Sequence, residues 1–416
     1  VLLRSSNSSR GFTLTLTLYL KGEGTAQPAT AQRDSVLERG DVSPLSRPRR
    51  SDVGEAPGWK RALQAGSSPC PILALALAAA FGLPLGAGAS GSRAPRPDAE
   101  PARVWPAPPE TPRLAFVRAF AQPTDFGVKL SGLRRFSNWL TGAQKGNEPL
   151  LKPFALALDE QDNLCVTDTG ANAVCFLDRA ANRWLRWSAL EHRGGRGRAA
   201  ILFASPVAVA KRGQTIFVAD SARGSVLAFD LKGQLQFQLT NRLQRPSGLA
   251  LAGDRLWVAD AAQHSVLAFN LRGEFRGAFG QRGTGPGEFN FPTHLATDPQ
   301  GRLYVTDSMN ARVQVFDADG RFLSQLGKLG DSPGHFGRPK GVAVDRRGRI
   351  YVVDALFDTL QIFDPEGRLL LNLGEPGAGP GEFWLPNGIA ISRNDEIFIA
   401  DAYNRRIQML RYIGPE

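Results

Sequence analysis

Short runs of apolar residues alternate with polar turns through most of this chain, and the pattern predicts many short β-strands rather than helices. The segment RLYVTDSMNARVQVFDADG (302–320) has two such runs around a polar loop, which is typical of a hairpin. Similar segments follow as RIYVVDALFDTLQIFDPEG (349–367) and EIFIADAYNRRIQMLRYIG (396–414). Their starting positions are 47 residues apart each time, and a fixed period of this size indicates a repeat architecture.

Weaker copies of the same unit extend the pattern toward the N-terminus. In each copy a first strand begins at a proline, and a second strand ends at an aspartate. A third apolar strand follows within a turn, and a fourth closes the unit, as in FLSQLG (322–327). The second strands end at Asp168, Asp220, Asp260, Asp307, Asp354 and Asp401. The sequence therefore predicts six antiparallel sheets of four strands each.

The predicted sheets are apolar on both faces, so each must be covered on both sides by its neighbours. Six sheets placed radially satisfy this requirement and leave few open edges; an open solenoid is the alternative arrangement. The last unit ends after its third strand, and an isolated strand within 113–123 matches the missing fourth strand in type. We therefore predict an all-β fold, a six-bladed β-propeller of four-stranded antiparallel blades whose ring is closed by this N-terminal strand.

Two linked motifs give the chain a resemblance to a known family. The motif GPGEF-x-x-P-x-G-[IVL]-A is followed by [IL][YF][VI]-x-D-x-x-N-x-R-[IV]-Q-[VM], most clearly in 280–414 and more weakly in 150–275. This pattern resembles the NHL repeat, and in particular the six-bladed NHL propellers of bacterial extracytoplasmic proteins. The resemblance implies the propeller fold. It implies no single function, because the family includes protein-binding, RNA-binding and sensor modules and a few catalytic relatives.

Composition narrows the classes of partner. Glycine (45 residues) and proline (29 residues) are frequent, as expected for a protein of many tight turns. The net charge of +11 favours anionic partners, but no basic run is interleaved with stacking aromatic residues, so we do not expect a nucleic acid. The chain has three cysteines and no CxxC motif, which argues against haem attachment and a thiolate zinc site. We expect no cofactor and a monomeric protein.

A segment near the N-terminus has the pattern of a signal peptide. Residues 59–89 combine a basic start with a short apolar stretch and end on Ala-Gly-Ala, a cleavage pattern that leaves Ser90 as the new terminus after Ala89. An uncleaved anchor is the alternative, although the apolar stretch is short and contains Pro84. We therefore expect an extracytoplasmic protein, periplasmic or secreted.

The signal peptide divides the chain into predicted regions. We expect 1–58 to be a disordered upstream extension or the result of a mis-assigned start, with Val53 or Leu63 as candidate start positions. A Pro-rich linker occupies 90–112, and the propeller occupies 113–416.

Two recurring features have a structural explanation. The six strand-ending aspartates could suggest metal ligands, but an aspartate that opens a short loop accepts hydrogen bonds from nearby backbone N–H groups and fixes the turn. That requirement arises once in every repeat, so we assign these aspartates to the blade turns. The Gly-rich segments GTGPGEF (283–289) and GAGPGEF (377–383) lack the strand-to-helix context of a phosphate loop, and we interpret them as connectors between blades.

One position of the repeat carries a candidate binding residue. The third residue of the first strand is small in every copy except one, where it is His294. Antiparallel pairing places the start of the first strand and the end of the second strand on the same face, so His294 should lie at the mouth of the central channel. The candidate ligand face consists of His294, Ser247, Thr293, Lys340 and Asn387. An exposed histidine with no ligand is the alternative.

Catalysis is the less favoured interpretation. A metal-dependent lactonase or lyase on a propeller needs several histidines or carboxylates around one ion, and the chain has four histidines in scattered contexts. No G-x-S-x-G nucleophile motif occurs, and we predict no catalytic residue and no metal site.

Two further segments stand apart from the repeat. The segment KLSGLRRFSNWLTG (129–142) has apolar residues near helical spacing, and it is interpreted as a cap packed on the ring or as a docking site for a partner or a membrane surface. Its docking candidates are Arg134, Arg135, Phe136 and Trp139. The Arg-rich segment 182–200 is expected to be a loop. Cys165 and Cys175 lie on adjacent predicted strands, either as buried free thiols or as a disulfide.

These observations lead to a binding protein rather than an enzyme. We expect an exported, non-catalytic propeller that acts as a scaffold or sensor through contact with an unidentified protein partner of the cell envelope, with peripheral membrane contact as an additional feature. The alternative is a protein that binds a small ligand, or a metal-dependent lactonase- or lyase-like enzyme, using the face around His294.

Overall fold

The computed structural model describes residues 2–8, 11–17, 103–141, 146–194 and 197–414. The chain forms two units, Val1–Ser90 and Gly91–Glu416. In the first unit, strands β1 (Leu2–Ser8) and β2 (Gly11–Thr17) pair as an antiparallel hairpin within the predicted upstream extension. The predicted signal peptide, 59–89, lies outside the described residues.

The second unit begins with elements that precede the first repeat. Strands β3 (Val104–Trp105) and β4 (Leu114–Phe120) are followed by a 3₁₀ helix (Pro123–Phe126) and by helix α1 (Gly132–Thr141). The helix falls within the segment whose spacing predicted it. In the described part of the chain no helix is both long and apolar enough to cross a membrane.

The repeats form six sheets. Blade 1 contains β5 (Pro153–Leu158), β6 (Leu164–Asp168), β7 (Ala173–Asp178) and β8 (Arg183–Trp187). After it, β9 (Ala189–Gly194) and β10 (Gly197–Leu202) form a separate hairpin. Blade 2 contains β11 (Pro206–Arg212), β12 (Thr215–Asp220), β13 (Ser225–Asp230) and β14 (Leu235–Leu239). Blade 3 contains β15 (Pro246–Ala252), β16 (Arg255–Asp260), β17 (Ser265–Asn270) and β18 (Phe275–Phe279).

The remaining blades follow the same order. Blade 4 contains β19 (Pro292–Thr297), β20 (Leu303–Asp307), β21 (Arg312–Phe316) and β22 (Phe322–Leu326), with a 3₁₀ turn at Ser308–Asn310. Blade 5 contains β23 (Pro339–Val344), β24 (Ile350–Asp354), β25 (Thr359–Phe363) and β26 (Leu369–Leu373). Blade 6 contains β27 (Pro386–Ile391), β28 (Glu396–Asp401) and β29 (Arg406–Tyr412).

The six sheets stand around a common axis, which confirms the predicted six-bladed propeller. The first strand of each blade contacts the first strand of the next, and β27 of blade 6 contacts β5 of blade 1. Six apolar clusters fill the spaces between neighbouring blades; one, for example, joins Phe217 of blade 2 to Val258 of blade 3. Each sheet is therefore buried on both faces, as its continuous apolar runs require.

The N-terminal strand closes the ring as predicted. Strand β4 pairs antiparallel with β29, with Phe120 opposite Ile407 and Leu114 opposite Tyr412. Strand β3 then adds a fifth strand to this sheet. It lies within the segment interpreted as a linker, and Arg103 beside it forms an ion pair with Glu382 at 3.2 Å. The blade therefore includes residues upstream of the predicted start at 113.

Polar side chains explain why the connector and the middle hairpin recur together. In blade 4, Asn310 and Arg312 both donate to the buried carboxylate of Asp307, at 2.8 and 2.9 Å. Arg312 also donates to the carbonyl of Gly285, and Gln314 donates to the carbonyl of Glu288, so the hairpin holds the Gly-rich connector. Asn404, Arg406 and Gln408 make the same contacts in blade 6.

Three details differ from expectation or resolve an alternative. The segment 182–200, expected as a loop, contains the outer strand of blade 1 and most of the β9–β10 hairpin. The apolar residues Leu133, Phe136 and Leu140 of α1 are 81%, 57% and 68% exposed. The cysteines are free and buried, because Cys165 and Cys175 lie on opposite faces of their sheet, in different apolar clusters.

Candidate functional site

One face of the ring carries the start of each first strand and the end of each second strand, as the sequence predicted. Each first strand begins there, and each second strand ends there, with Pro153 opposite Asp168 in blade 1 and Pro292 opposite Asp307 in blade 4. We call this side of the propeller the loop face and the other side the opposite face.

The strand-ending aspartates of the loop face are fully buried and hydrogen-bonded within the protein. Asp260, for example, accepts hydrogen bonds from the backbone N–H groups of Gln244 at 2.6 Å and Ala262 at 3.0 Å. Asp354 likewise accepts from the backbone of Gly337 and Leu356. These carboxylates hold the end of each connector against the hairpin loop, so they are not directed toward the channel.

A cavity of about 340 Å³ opens on the loop face around His294. Four of the five predicted ligand-face residues line it, namely His294, Ser247, Thr293 and Lys340. Phe154 of blade 1, Arg245 and Arg338 also line this cavity, which we call the loop-face cavity. None of the described residues that line it is acidic.

His294 lies deep in this cavity and is 9% exposed. Its ring stacks with Phe154 across the axis, with ring centroids 6.3 Å apart. Burial and the nearby charge of Lys340 lower the pKa of His294 to about 3, against a weaker opposing effect of the Asn387 side chain. The contact with Asn387 is loose, because neither ring nitrogen has a partner at hydrogen-bond geometry. The imidazole is therefore neutral at physiological pH, with one free donor and one free acceptor.

The repeat explains why a side chain at this position is unusual. A Cβ atom placed on Gly248 lies 2.8 Å from the carbonyl oxygen of Thr293, and one on Gly341 lies 2.4 Å from that of Asn387. A Cβ atom on Gly388 meets the carbonyl oxygen of Phe154 at 2.5 Å. Neighbouring first strands thus approach too closely for a side chain at these three positions, whereas blade 4 accommodates an imidazole.

The other predicted ligand-face residues differ in their hydrogen bonding. The hydroxyl of Ser247 donates to the carbonyl of Pro292 at 2.7 Å, so it joins blades 3 and 4. The hydroxyl oxygen of Thr293 and the side-chain oxygen of Asn387 are buried without a hydrogen-bond partner. Thr293 and His294 therefore carry buried polar atoms that remain available to a ligand.

Two cationic residues of this cavity were missed by the sequence analysis. Arg245 and Arg338 directly precede the prolines that begin their first strands, and both side chains are exposed. The signal was present in the repeat, because the residue before the proline lines this cavity in blades 3, 4 and 5. This position reads Lys152, Ser205, Arg245, Phe291, Arg338 and Leu385.

Lys340 has an unusual electrostatic environment. Burial and the neighbouring charge of Arg338 lower the pKa of Lys340 to about 8. Within the described part of the chain, no carboxylate forms an ion pair with Lys340, Arg338 or Arg245. The loop-face cavity therefore holds three cationic side chains that form no ion pair with a described carboxylate.

A second cavity of about 340 Å³ opens on the opposite face and is lined by the far ends of all six first strands. Its cations have partners: Lys211 binds Asp159 at 2.7 Å, and Arg212 binds Glu160 at 3.1 Å, which leaves the exposed Arg393. Burial raises the pKa of Asp159, but Lys211, Asn163 and nearby backbone N–H groups outweigh it and hold the pKa below its usual value. We call this the opposite cavity.

Exposed apolar side chains cluster on the loops of the loop face in blades 4, 5, 6 and 1. Trp384 and Tyr403 pack with ring centroids 5.6 Å apart, and the ammonium group of Lys152 lies 4.6 Å from the Tyr403 ring. We call this set the apolar arc. Its members are Leu151, Phe291, Met309, Leu356, Trp384, Leu385 and Tyr403.

The predicted docking candidates lie on α1, away from these cavities. Arg135 donates to the carbonyl of Leu130 at 3.3 Å, and Phe136 is exposed. The side chains of Arg134 and Trp139 are outside the described part. No group of three or more histidine, cysteine or acidic residues within the described ranges is arranged to hold a metal ion.

One family model agrees with the fold. The model of a family described as a 6-bladed beta-propeller (DUF5128) matches residues 234–301, 297–356 and 344–412. A search of curated proteins finds no match to this chain.

Solved structures that are similar to the chain are distant in sequence. A catalytically inactive virginiamycin B lyase from Staphylococcus aureus, with quinupristin, is 13% identical over 63% of this chain and 95% of that chain, with a TM-score of 0.45. A protein of unknown function from Bacteroides thetaiotaomicron is 16% identical over 63% of this chain and 70% of that chain, with a TM-score of 0.47. Hydrazine synthase from Kuenenia stuttgartiensis is 15% identical over 64% of this chain and 96% of that chain, with a TM-score of 0.45.

Proposed function

We propose that this chain is a non-catalytic binding propeller of NHL-type repeats that docks a protein partner on its loop face. The observation that carries this proposal is the apolar arc, in which seven exposed large apolar side chains occupy the loops of one face. Exposed apolar groups that cluster in this way mark interaction sites. The cations Lys152, Arg245 and Arg338 lie on the same face, so the complementary partner surface is apolar and acidic.

The proposed site of action is the cell envelope, after removal of residues 59–89. Support comes from the basic start, apolar stretch and Ala-Gly-Ala ending of that segment. The protein is a monomer in this proposal. Helix α1 adds a peripheral contact with a membrane surface through its exposed Leu133 and Leu140 and the cationic Arg135. Sequencing the N-terminus of the native protein tests the location, with Ser90 as the expected first residue.

Docking on the apolar arc is tested by site-specific photocrosslinking. A crosslinking residue placed at Leu356 should give one discrete adduct in an extract of the native host, and the same residue at Leu323 should not. Leu323 is the matched control, because it is 50% exposed but lies on the outer strand of blade 4. The adduct is identified by mass spectrometry, and the partner is then purified.

Binding of the purified partner decides the proposal. Trp384→Ser should weaken it by about tenfold or more, because a truncated aromatic anchor commonly costs about 2 kcal/mol. Leu323→Ser should leave it unchanged. Equal weakening by both variants, or no weakening by Trp384→Ser, contradicts docking on the arc.

Binding of a small ligand in the loop-face cavity is the second candidate function. The buried and unpartnered polar atoms of Thr293 and His294 favour it. Acid–base catalysis by His294 is not supported, because an imidazole with a pKa of about 3 is a weak base at neutral pH.

A further inference from the structure

The loop-face cavity gathers three cations without a counter-ion. Arg338 and Lys340 flank the proline that begins β23, and Arg245 precedes the proline that begins β15. The buried carboxylates of Asp260 and Asp354 accept hydrogen bonds from the backbone N–H groups of Arg245 and Arg338, but they form no ion pair with the side chains of these arginines. The two arginine side chains are exposed and Lys340 is partly buried. Like charges that are held together repel one another, so an anion bound between them is stabilised.

Uncharged polar groups complete the binding chemistry. Thr293 Oγ1 and both ring nitrogens of His294 are buried in the cavity without a hydrogen-bond partner, and a buried polar atom in that state costs free energy. Neutral His294 has one N–H donor, and the hydroxyl of Thr293 is a second donor. Two neutral donors beside three cations suit the oxygen atoms of an anionic group.

Most of the remaining lining residues are apolar, beside three serines, and the volume of the cavity limits the size of the ligand. Phe154, Val207, Phe291 and Met309 line the cavity, and its volume of about 340 Å³ lies at the lower end of the range for small-molecule sites. We propose that the loop-face cavity binds a monoanionic carboxylate that carries a small apolar body. The carboxylate lies among Arg245, Arg338 and Lys340, and the apolar body lies against Phe154 and Met309. This proposal rests on the second candidate function, and the site shares Phe291 and Met309 with the apolar arc.

The wild-type protein alone can test the charge requirement. Isothermal titration with phenylacetate is compared with titration with phenylacetamide, which has the same ring and no charge. Phenylacetate should bind at least tenfold more tightly, and inorganic phosphate should bind more weakly than phenylacetate. Equal binding of the acid and the amide, or binding of phosphate alone, overturns the proposal.

Variants then locate the site. Arg338→Gln and Lys340→Gln should each weaken phenylacetate binding at least fivefold, whereas Arg321→Gln should not, because Arg321 is exposed at the opposite end of blade 4. Melting curves establish that each variant is folded. Unchanged binding in both cavity variants overturns the assignment.

A pH profile provides a readout that a structural role would not give. Lys340 faces Arg338 on its own connector, Arg245 before β15, His294 on β19 and Asn387 on β27, and no described carboxylate offsets its charge. Phenylacetate affinity should therefore fall several-fold between pH 7 and pH 9.5 as Lys340 loses its proton. Lys340→Arg should bind phenylacetate and lose this fall; a variant that keeps the same profile contradicts the role of Lys340.

The source of the carboxylate is distinguished by a second probe. A short apolar peptide with a free C-terminus is compared with its amidated form under the same conditions. Binding of phenylacetate together with the free-terminus peptide supports a site for carboxylates of either origin. Binding of phenylacetate without the peptide supports a free small acid. Failure of every carboxylate overturns the site but leaves the crosslinking test of the apolar arc unaffected.

Discussion

The two mouths of the central channel have cavities of the same volume, about 340 Å³, but they differ in whether their cationic side chains are paired with carboxylates. In the opposite cavity, Lys211 and Arg212 each bind a carboxylate of blade 1. In the loop-face cavity, Lys340 and two arginines share one cavity without a carboxylate. Pocket size therefore does not distinguish a binding site in this propeller. The unpaired charges are what favours the loop-face cavity as the proposed binding site, because they are the groups that a ligand would satisfy.

The largest expected effect comes from breaking the ion pair of the opposite cavity. Lys211→Met should lower the free energy of unfolding by about 3 kcal/mol, because removal of one partner leaves a buried, uncompensated charge on Asp159. Lys340→Met at the other mouth should not lower the free energy of unfolding, because burial of the Lys340 charge is unfavourable and no counter-ion offsets it. Urea denaturation of both variants makes the comparison. Equal destabilisation at the two mouths would remove the distinction between them.

A smaller effect is expected from the close approach of the first strands. Gly341→Ala places a methyl group 2.4 Å from the carbonyl oxygen of Asn387, and such overpacking costs about 1–3 kcal/mol. His294→Gly should change stability by less than about 1 kcal/mol, because the lost contact with Phe154 is offset by removal of an unpartnered buried imidazole. Thermal unfolding measures both variants. A large loss in His294→Gly would assign that residue to the core rather than to a site.

The sequence was sufficient for the fold because each repeat carries its own strand, turn and connector signals. The six aspartates, the 47-residue spacing of the last three copies and the unpaired strand near 113 determine the number of blades and the closure of the ring. The network of Asn310, Arg312 and Gln314 was not predicted, because its acceptors lie about 27 residues earlier in the chain.

The candidate site was only partly predictable. His294 was found because it interrupts a run of small residues at one repeat position. Arg245 and Arg338 were not predicted, because the predicted ligand face was built from residues after each proline, whereas the residue before it also lines the loop-face cavity in blades 3, 4 and 5. The hydrogen bond from Ser247 to the carbonyl of Pro292 depends on the distance between blades 3 and 4, which cannot be predicted from the spacing of residues in the sequence.

The residues of the two cavities should change the stability of the protein over different pH ranges. Unfolded histidine binds a proton near its usual pKa of about 6.5, but folded His294 does so only near 3, so the unfolded state holds more protons between these values. Stability should therefore fall as pH decreases from 6.5, by up to about 1.4 kcal/mol per pH unit from this residue.

The His294→Gly variant isolates this contribution, since the difference between variant and wild type should change with pH in that window. Lys340 also makes stability rise with increasing pH, but over a more alkaline range. Its folded pKa of about 8 lies below the unfolded value, so stability should rise between pH 8 and about pH 10.5. Asp159 contributes only below its usual pKa, where its ion pair is lost. A flat difference between wild type and His294→Gly from pH 6.5 to 4 would contradict the burial of a neutral imidazole.

The smallest expected effects concern the hydrogen bonds between blades 3 and 4, which are alike at the two mouths. Ser247 donates to the carbonyl of Pro292 at 2.7 Å on the loop face, and Thr297 donates to the carbonyl of Leu251 at 2.8 Å on the opposite face. Ser247→Ala and Thr297→Val should each cost about 1 kcal/mol in denaturant unfolding, because each removes one hydrogen bond between neighbouring first strands. Equal costs place the asymmetry of the channel in its charges alone, whereas a much larger cost on one side would mean that the blade contacts differ as well.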